Sequence, residues 1–380
     1  MVKVLLLTNT IAPYRIPVLN RLNTDNEIDL TVWYLEERER NRHWNINHGE
    51  IQYNYECLKG IHYYVQKMDL GVHINPGLFY KLVKFKPDVV MAAGYDSLAY
   101  WSALLYCKLF NKKYVVWWGS TLESSRVKNG IVNLIRRSFF KMTNNFVTYG
   151  TAAAECLKHY GVDSSRIVTG YNTVNIRYFY EEYKKYAANQ SVKRNNTTQV
   201  NFLFIGQLIE RKGVTQIIEA LKTLDSKNWN LKIVGSGPDE MLLKQSVREY
   251  KLESQIHFEG YKQQEELTSY LLEADCLVFP SIIEVWGLVV NEAIATKTFV
   301  LSSKYAGATK DIIYNKRNGL VIDPTDTKNL IEGLQWVLSN MDDFKSNWKV
   351  DFSLWRKLHP YSYARSIKLS IKAAISGKIL

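Results

Sequence analysis

The sequence predicts an α/β protein built on parallel sheets. Short apolar, strand-like runs alternate with longer amphipathic ones along the chain. Several of these runs end on glycine or a small residue just before the next amphipathic stretch. At 380 residues the chain exceeds one ordinary core; it suits two domains of roughly 150–200 residues each.

In the first half the predicted strands are KVLLLT, IDLTVWYL, DVVMAAG, KYVVWWG, FVTYG and RIVTG. In the second half they are NFLFIG, LKIVG, IHFEG, CLVFPS, TFVLSS and GLVI. In parallel sheets of this kind ligands gather at the carboxyl edge of the strands. Glu181–Gln199 is polar and poor in aliphatic residues, and reads as the joint between two Rossmann-like halves. The expected division is a first domain over 1–175, a linker over 176–199, a second domain over 200–355, and a basic helical tail over 356–380.

Composition excludes several classes. Hydrophobic residues at 46% against 23% charged mark a folded chain rather than a disordered one. The longest apolar candidate, Leu98–Phe110, contains Lys108 and falls short of the roughly 20 residues of a membrane-spanning helix. MVKVLLLTNT enters a strand directly and does not read as a cleavable signal. Cys57, Cys107, Cys156 and Cys276 form no CxxC pair, as expected of buried free thiols in a reducing compartment. The expected location is therefore cytoplasmic.

The net charge of +12 is uneven: residues 1–180 hold 22 basic against 14 acidic side chains, and residues 181–380 hold 27 against 23. Arg126, Lys128, Arg136, Arg137 and Lys141 fall between Glu123 and Glu155 with no acid among them, interleaved with Ile131, Leu134, Ile135, Phe139 and Phe140. Such a segment suits anionic lipid, a phosphate-bearing substrate, or simply a solvated basic helix face. No zinc finger, basic zipper or RNP-type motif supports a nucleic-acid partner.

The chemistry-bearing motifs lie in the second half. GQLIERKGV puts Gly206 at a strand end and Lys212 in the next loop, where an ammonium can neutralise phosphate. VGSGPDE holds Gly235 and Gly237 with Glu240 where a dinucleotide fingerprint has its third glycine, so it reads as a tight turn rather than an NAD site. FPSIIEVWGLVVNEAIAT carries Glu284 in a loop, Gly287 at a helix start and Glu292 inside the helix. Unpartnered amides at that start form an anion site, and Glu292 leans back towards it. Gly307 and Ala308, followed by Asp311, form another turn on the same edge. There is no DxD, no His/Cys group at metal spacing, no P-loop and no GxSxG, so no metal or resident cofactor is expected.

GQLIERKG, VGSGP, EADCLVFPS, the Glu-x7-Glu segment and NGLVIDPTD together resemble the nucleotide-sugar half of retaining GT-B glycosyltransferases of the family 4 type. The first half resembles that family through KVLLLTNTIAPYR, AGYDS and KYVVWWGSTLES. The resemblance implies two Rossmann-like domains facing across a cleft, with the donor sugar held by the second and the acceptor by the first. It also implies a metal-independent hexosyltransferase, using a nucleotide diphosphate sugar (UDP favoured over GDP) and retaining anomeric configuration. The acceptor would be a glycan or polyprenyl-linked chain in cell-surface polysaccharide synthesis, with peripheral contact at the inner face of the membrane. By position, Lys212 and Glu284 would be catalytic. Gly206, Gln207, Arg211, Gly235, Gly237, Tyr261, Gly287, Leu288, Val289 and Glu292 would join Lys212 around the donor, and the tail would pack back on the first domain.

The departures matter. Gln207 stands where the family has an arginine, with Arg211 as the candidate replacement. TIAPYR replaces the early glycine-rich loop, which puts Arg15 on the acceptor side. Trp117, Trp118 and Gly119 stand where many members carry a histidine, so Trp118 joins Arg15 there and no catalytic histidine is named. An epimerase-type enzyme and a non-catalytic subunit of a transferase complex are the alternatives.

Overall fold

The computed structural model describes residues 1–39, 44–65, 70–125, 129–190, 199–347 and 351–377. The chain divides into two compact units, Met1–Val174 with Lys357–Leu380, and Asn175–Arg356.

The first unit is wound on a seven-stranded parallel sheet. Its strands in chain order are β1 (Val2–Thr8), β2 (Ile28–Tyr34) and β3 (Asn54–Cys57), then β6 (Val89–Ala92), β7 (Lys113–Trp118), β8 (Asn145–Thr148) and β9 (Ile167–Thr169). Between them β4 (Ile61–Val65) and β5 (Leu70–Ile74) pair antiparallel as a hairpin outside the sheet. The spatial order is β3-β2-β1-β6-β7-β8-β9. Central strands such as β6, buried along its whole length, and β7, buried from Tyr114 onwards, therefore read as apolar runs.

The second unit holds a six-stranded parallel sheet of β10 (Val200–Ile205), β11 (Trp229–Val234), β12 (Ile256–Gly260), β13 (Cys276–Phe279), β14 (Phe299–Ser303) and β15 (Gly319–Ile322). Its order is β12-β11-β10-β13-β14-β15. In both sheets the winding reverses at the first strand. β1 has β2 on one side and β6 on the other, and β10 has β11 and β13. That is the Rossmann-like pattern, and it opens a crevice at the carboxyl ends beside the reversal.

The sequence expectation and the structure differ over the strands of residues 54–74 and over the joint between the two halves. β3, β4 and β5 are absent from the predicted strands. β3 is an edge strand whose first three residues are exposed, so it lacks an apolar signature. Residues 176–199, expected as a linker, begin with the helix Ile176–Gln190, which packs inside the second unit against the helices Leu288–Ala295 and Gln264–Glu273. Residues 191–198 lie outside the described residues. The apolar segment near residue 98 is the helix Leu98–Leu109, and among the described residues no helix is long and apolar enough to cross a membrane.

The helix Pro360–Ser376 completes the first unit. It lies against the helix Ile16–Asn23 and strands β7–β9. Tyr363 is buried and its hydroxyl accepts from the Trp117 indole N–H. At the rim Lys368 pairs with Asp25 at 2.6 Å and with Glu27.

Candidate functional site

The reversal point of the second sheet is where the two sharpest motifs meet. β10 leads into the Gly206–Gly213 loop and β13 into the Pro280–Gly287 loop, and β10 and β13 are neighbours. Ile282 N–H donates to the Arg211 carbonyl at 2.8 Å, and the Arg211 guanidinium reaches the Ile283 carbonyl at 3.4 Å. A Cβ on Gly213 would collide with the Pro280 carbonyl, so that position is held open by the approach of the second loop. The two loops form one floor.

On that floor the Lys212 ammonium forms an ion pair with a Glu284 carboxylate oxygen, each side chain 14% exposed. Burial alone would raise the Glu284 carboxyl. The Lys212 charge and hydrogen bond, with Arg211 and the Trp286 amide, reverse this and hold it below its ordinary value. The glutamate stays ionised and aligns the lysine.

Gly287 follows at φ 95°, a left-handed conformation, and a Cβ there would sit 2.6 Å from the Phe279 ring. Only glycine fits both constraints. The helix Leu288–Ala295 begins immediately after, and its first intrahelical bond runs from Val290 N–H to the Gly287 carbonyl. The amides of Leu288 and Val289 donate to no described residue, which leaves the positive end of the helix facing the crevice. Trp286 is fixed by its indole N–H to Asn291 Oδ1 at 2.9 Å, which sets the path of the loop. Within the helix, the Glu292 carboxyl forms no hydrogen bond or ion pair with any described residue, and burial raises its pKa to about 7. It is a carboxyl with no partner among the described residues, one turn inside a helix whose first amides are unpaired.

Gly235 and Gly237 form the tight turn that their motif suggests, packed closely against the neighbouring loop. A Cβ at Gly235 would strike the Gly206 carbonyl, and one at Gly237 the Leu208 carbonyl. Leu208 N–H donates to Ser236 O at 2.9 Å. These glycines admit the neighbouring loop, so they shape the floor. Tyr261, 45% exposed, follows β12 at the same edge. Asp311 is buried in the short helix Thr309–Ile312, behind Ala308, whose N–H donates to the Trp286 carbonyl. A separate cavity of about 420 Å³ lies among Tyr180, Trp336 and Trp355; it is lined by Ile294 and Ala295 at the far end of the helix Leu288–Ala295 and does not include Lys212, Glu284, Gly287 or Glu292.

In the first unit Arg15 is held by Thr8 Oγ1 at 2.7 Å and the Tyr149 hydroxyl at 3.0 Å, with its guanidinium 5.1 Å from the Trp117 ring. Its Nε is buried with no hydrogen-bond partner. Trp118, expected on the acceptor side, is 4% exposed, stacked on Tyr95 and set edge-on to Phe140. It is a core aromatic, because it ends a strand buried from Tyr114 onwards.

The basic segment is likewise only partly as expected. Arg126 and Lys128 lie outside the described residues. In the helix Gly130–Met142, Arg136 is buried and donates to the hydroxyls of Tyr95 and Tyr160 and to Ser125, while Ile131, Leu134 and Ile135 are exposed beside Arg137 and Lys141. No linear spacing draws the histidines together, but the fold does so in the first unit. The β4–β5 register sets His62 opposite His73, a pairing that linear spacing conceals.

Residues 186–349 match the family of glycosyl transferases group 1. The matched residues fall within the second unit. The match spans Lys212, Glu284, Gly287 and Glu292, and it stops short of Arg15 and the basic helix.

The chain is 24% identical over 238 residues to an uncharacterized 41.2 kDa protein in the cps region of Klebsiella pneumoniae, covering 60% of this chain and 63% of that one. It is 32% identical over 139 residues to an uncharacterized glycosyltransferase of Methanocaldococcus jannaschii, covering 36% and 35%. An amylovoran biosynthesis glycosyltransferase of Erwinia amylovora, AmsK, is 32% identical over 124 residues, 30% of each chain. The chain therefore spans less than two thirds of the length of each of these relatives.

Among solved structures, Anabaena HepE in complex with UDP and glucose superposes with a TM-score of 0.73 at 14% identity, over 98% of this chain and 100% of that one. At that identity the likeness is one of fold: two Rossmann-like sheets with helices, matching GT-B glycosyltransferase structures.

Proposed function

We propose that this protein transfers a hexose from a nucleotide diphosphate sugar, with UDP the favoured carrier and GDP the alternative, to a glycan or polyprenyl-linked acceptor. The reaction retains anomeric configuration and serves cell-surface polysaccharide synthesis. The observation that carries this reading is the Lys212–Glu284 ion pair beside a helix start whose first amides are free, with the partnerless Glu292 behind it.

Each part has a chemical use. The Leu288 and Val289 amides and Lys212 take the diphosphate, whose negative charge grows as the glycosidic bond breaks. Glu284 orients Lys212 and faces the sugar. Glu292 accepts hydrogen bonds from the ribose hydroxyls, which supply the partners it lacks. The transition state is oxocarbenium-like, and the leaving phosphate takes the acceptor proton, so no protein nucleophile is needed. The diphosphate is met by these groups without a metal. HepE, crystallised with UDP and glucose, and AmsK, named for amylovoran biosynthesis, support the donor and pathway classes. The acceptor falls to the first unit, near Arg15. The helix Gly130–Met142, with exposed apolar and basic residues, offers contact with the inner face of a membrane.

The test is thermal-shift and calorimetric binding with UDP, GDP, ADP and TDP, with magnesium and with EDTA. One nucleotide should stabilise the protein selectively and without metal, and Glu292→Ala should abolish the effect. Binding of none of the four would favour a non-catalytic subunit. Release of an isomerised sugar with no acceptor present would favour an epimerase.

A further inference from the structure

A second constellation lies in the first unit, outside the residues that match the group 1 family. His62 and His73 are directly opposed across the β4–β5 hairpin, their Nδ1 atoms 3.1 Å apart. Glu36, on the segment following β2, places Oε2 3.7 Å from His73 Nδ1. One ligand atom from each of Glu36, His62 and His73 lies within 4.8 Å of the other two. Two atoms bound to one tetrahedral zinc at about 2.0–2.1 Å each stand about 3.3 Å apart. The observed 3.1 and 3.7 Å bracket that spacing.

The surroundings also suit a ligand. The opposite edge of the His73 ring faces a further carboxylate, with Nε2 3.6 Å from Glu39 Oε1. A carboxylate there favours the tautomer protonated on Nε2, which leaves the Nδ1 lone pair directed at His62 and Glu36. Asn9 donates to the same Glu39 oxygen at 2.6 Å and fixes it from behind. Gly71 makes the approach possible, since a Cβ there would sit 2.8 Å from His73 Nε2 and 3.3 Å from Glu39 Oε1. His73 is 3% exposed and Glu36 23%, so the trio is rooted on one side and open to water on the other.

We propose that Glu36, His62 and His73 form a binding site for a divalent transition metal of the zinc class, with Glu39 as the residue that positions His73. Two imidazoles and one carboxylate supply three ligands and leave the fourth position to water. The ion ties the hairpin to the segment following β2, a tether that the sheet itself does not provide because β4 and β5 pair only with each other. The competing account is an imidazole–imidazole hydrogen bond, in which His62 Nδ1–H donates to His73 and no ion binds.

The test uses the full-length untagged protein, stripped with chelator and titrated with Co2+ and then Zn2+. The wild type should take up one equivalent of Co2+, with the visible absorption of a four-coordinate ion, and Zn2+ should displace it. His62→Ala and Glu36→Gln should each weaken binding at least tenfold. Glu39→Gln should weaken it by about 10–100-fold. His48→Ala, an exposed histidine of the same unit, should leave binding unchanged. Circular dichroism establishes that each variant is folded. Should His62→Ala not fold, Glu36→Gln, altering a partly exposed side chain, decides alone. Uptake below a tenth of an equivalent at micromolar free metal, or unchanged affinity in the folded variants, would overturn the site in favour of the hydrogen bond. Neither result bears on nucleotide binding in the second unit.

Discussion

Lys212 and Glu284 stand 72 residues apart in the chain and meet as an ion pair at the reversal point of the second sheet. The loops that bring them together are joined through their backbones, Ile282 N–H to Arg211 O, so the pair is part of the floor as well as of the proposed chemistry. The lysine therefore has two separable roles. Lys212→Ala should lower turnover on the order of a hundredfold or more, the consequence of losing about 2.7–4 kcal/mol of transition-state stabilisation. It should also destabilise the second unit, by less than the about 3–5 kcal/mol of a fully buried pair broken on one side. Lys212→Met combined with Glu284→Gln removes both charges and should recover most of that stability while activity stays low. Urea unfolding and turnover, measured on both variants, separate the roles. Because the Glu284 carboxyl lies below its ordinary value of 4.5, the pair's contribution is complete above that pH and is lost as pH falls through the lowered value.

Glu292 behaves in the opposite sense. Its carboxyl is raised to about 7 by burial, so the folded state binds a proton that the unfolded chain releases near 4.5. Stability therefore falls as pH rises from about 4.5 to about 7, and the shift corresponds to roughly 3 kcal/mol once the group is ionised. Glu292→Gln should be close to neutral at pH 4.5 and stabilising at pH 8, while abolishing nucleotide binding at both. Denaturant unfolding at the two pH values checks the first statement. Ribose hydroxyls that donate to the ionised carboxylate should also lower its pKa, so nucleotide binding at pH 7 should release protons. Calorimetry in buffers of different ionisation enthalpy reads that release, and equal heats in all buffers would remove Glu292 from the ribose.

Much of this was legible in the sequence, for identifiable reasons. Parallel strands covered on both faces read as apolar runs, so β1, β6–β8 and the strands of the second sheet stand out. Lys212, Glu284, Gly287 and Glu292 are conspicuous because charged or glycine residues interrupt such runs. Their partners are not legible. That Glu284 pairs with Lys212, and that Gly235 and Gly237 admit the neighbouring loop, depends on which strands are neighbours. The edge strand β3 has no inward face to mark it. The His62–His73 pair exists only in the register of a hairpin whose strands were not expected. Arg136 and Trp118 mislead in the same way, as a basic and an aromatic residue that tertiary packing takes inside.

Gly287 tests the anion site without touching a charge. Alanine there must adopt φ 95° and place its Cβ 2.6 Å from the Phe279 ring. Strain at such a position costs of order 1–3 kcal/mol, and relief would tilt the first turn of the helix, with the Leu288 and Val289 amides on it. Gly287→Ala should therefore lose both stability and nucleotide affinity. Gly260→Ala is the control: it has positive φ at 72° and nothing within 4 Å of its Cβ, so it should lose stability only. Equal nucleotide affinity in the two variants would detach the helix start from the diphosphate.

The last prediction concerns the helix Pro360–Ser376, which returns to the first unit after the whole of the second. Tyr363 is 1% exposed, its hydroxyl accepts from Trp117, and a Cβ on Gly170 would collide with its ring. Trp117 also lies 5.1 Å from the Arg15 guanidinium, so the helix supports the wall on which Arg15 rests. Tyr363→Ala should destabilise the first unit by about 3–5 kcal/mol, as large-to-small changes in aromatic cores do. Tyr363→Phe removes only the hydrogen bond and should cost about 0.5–1.5 kcal/mol. Because the second unit has its own core, unfolding of Tyr363→Ala should split into two transitions. The nucleotide should stabilise only the later one, since the residues proposed to hold it all lie in the second unit. A single transition shifted as a whole would mean that the two units fold cooperatively, and that the closing helix supports both.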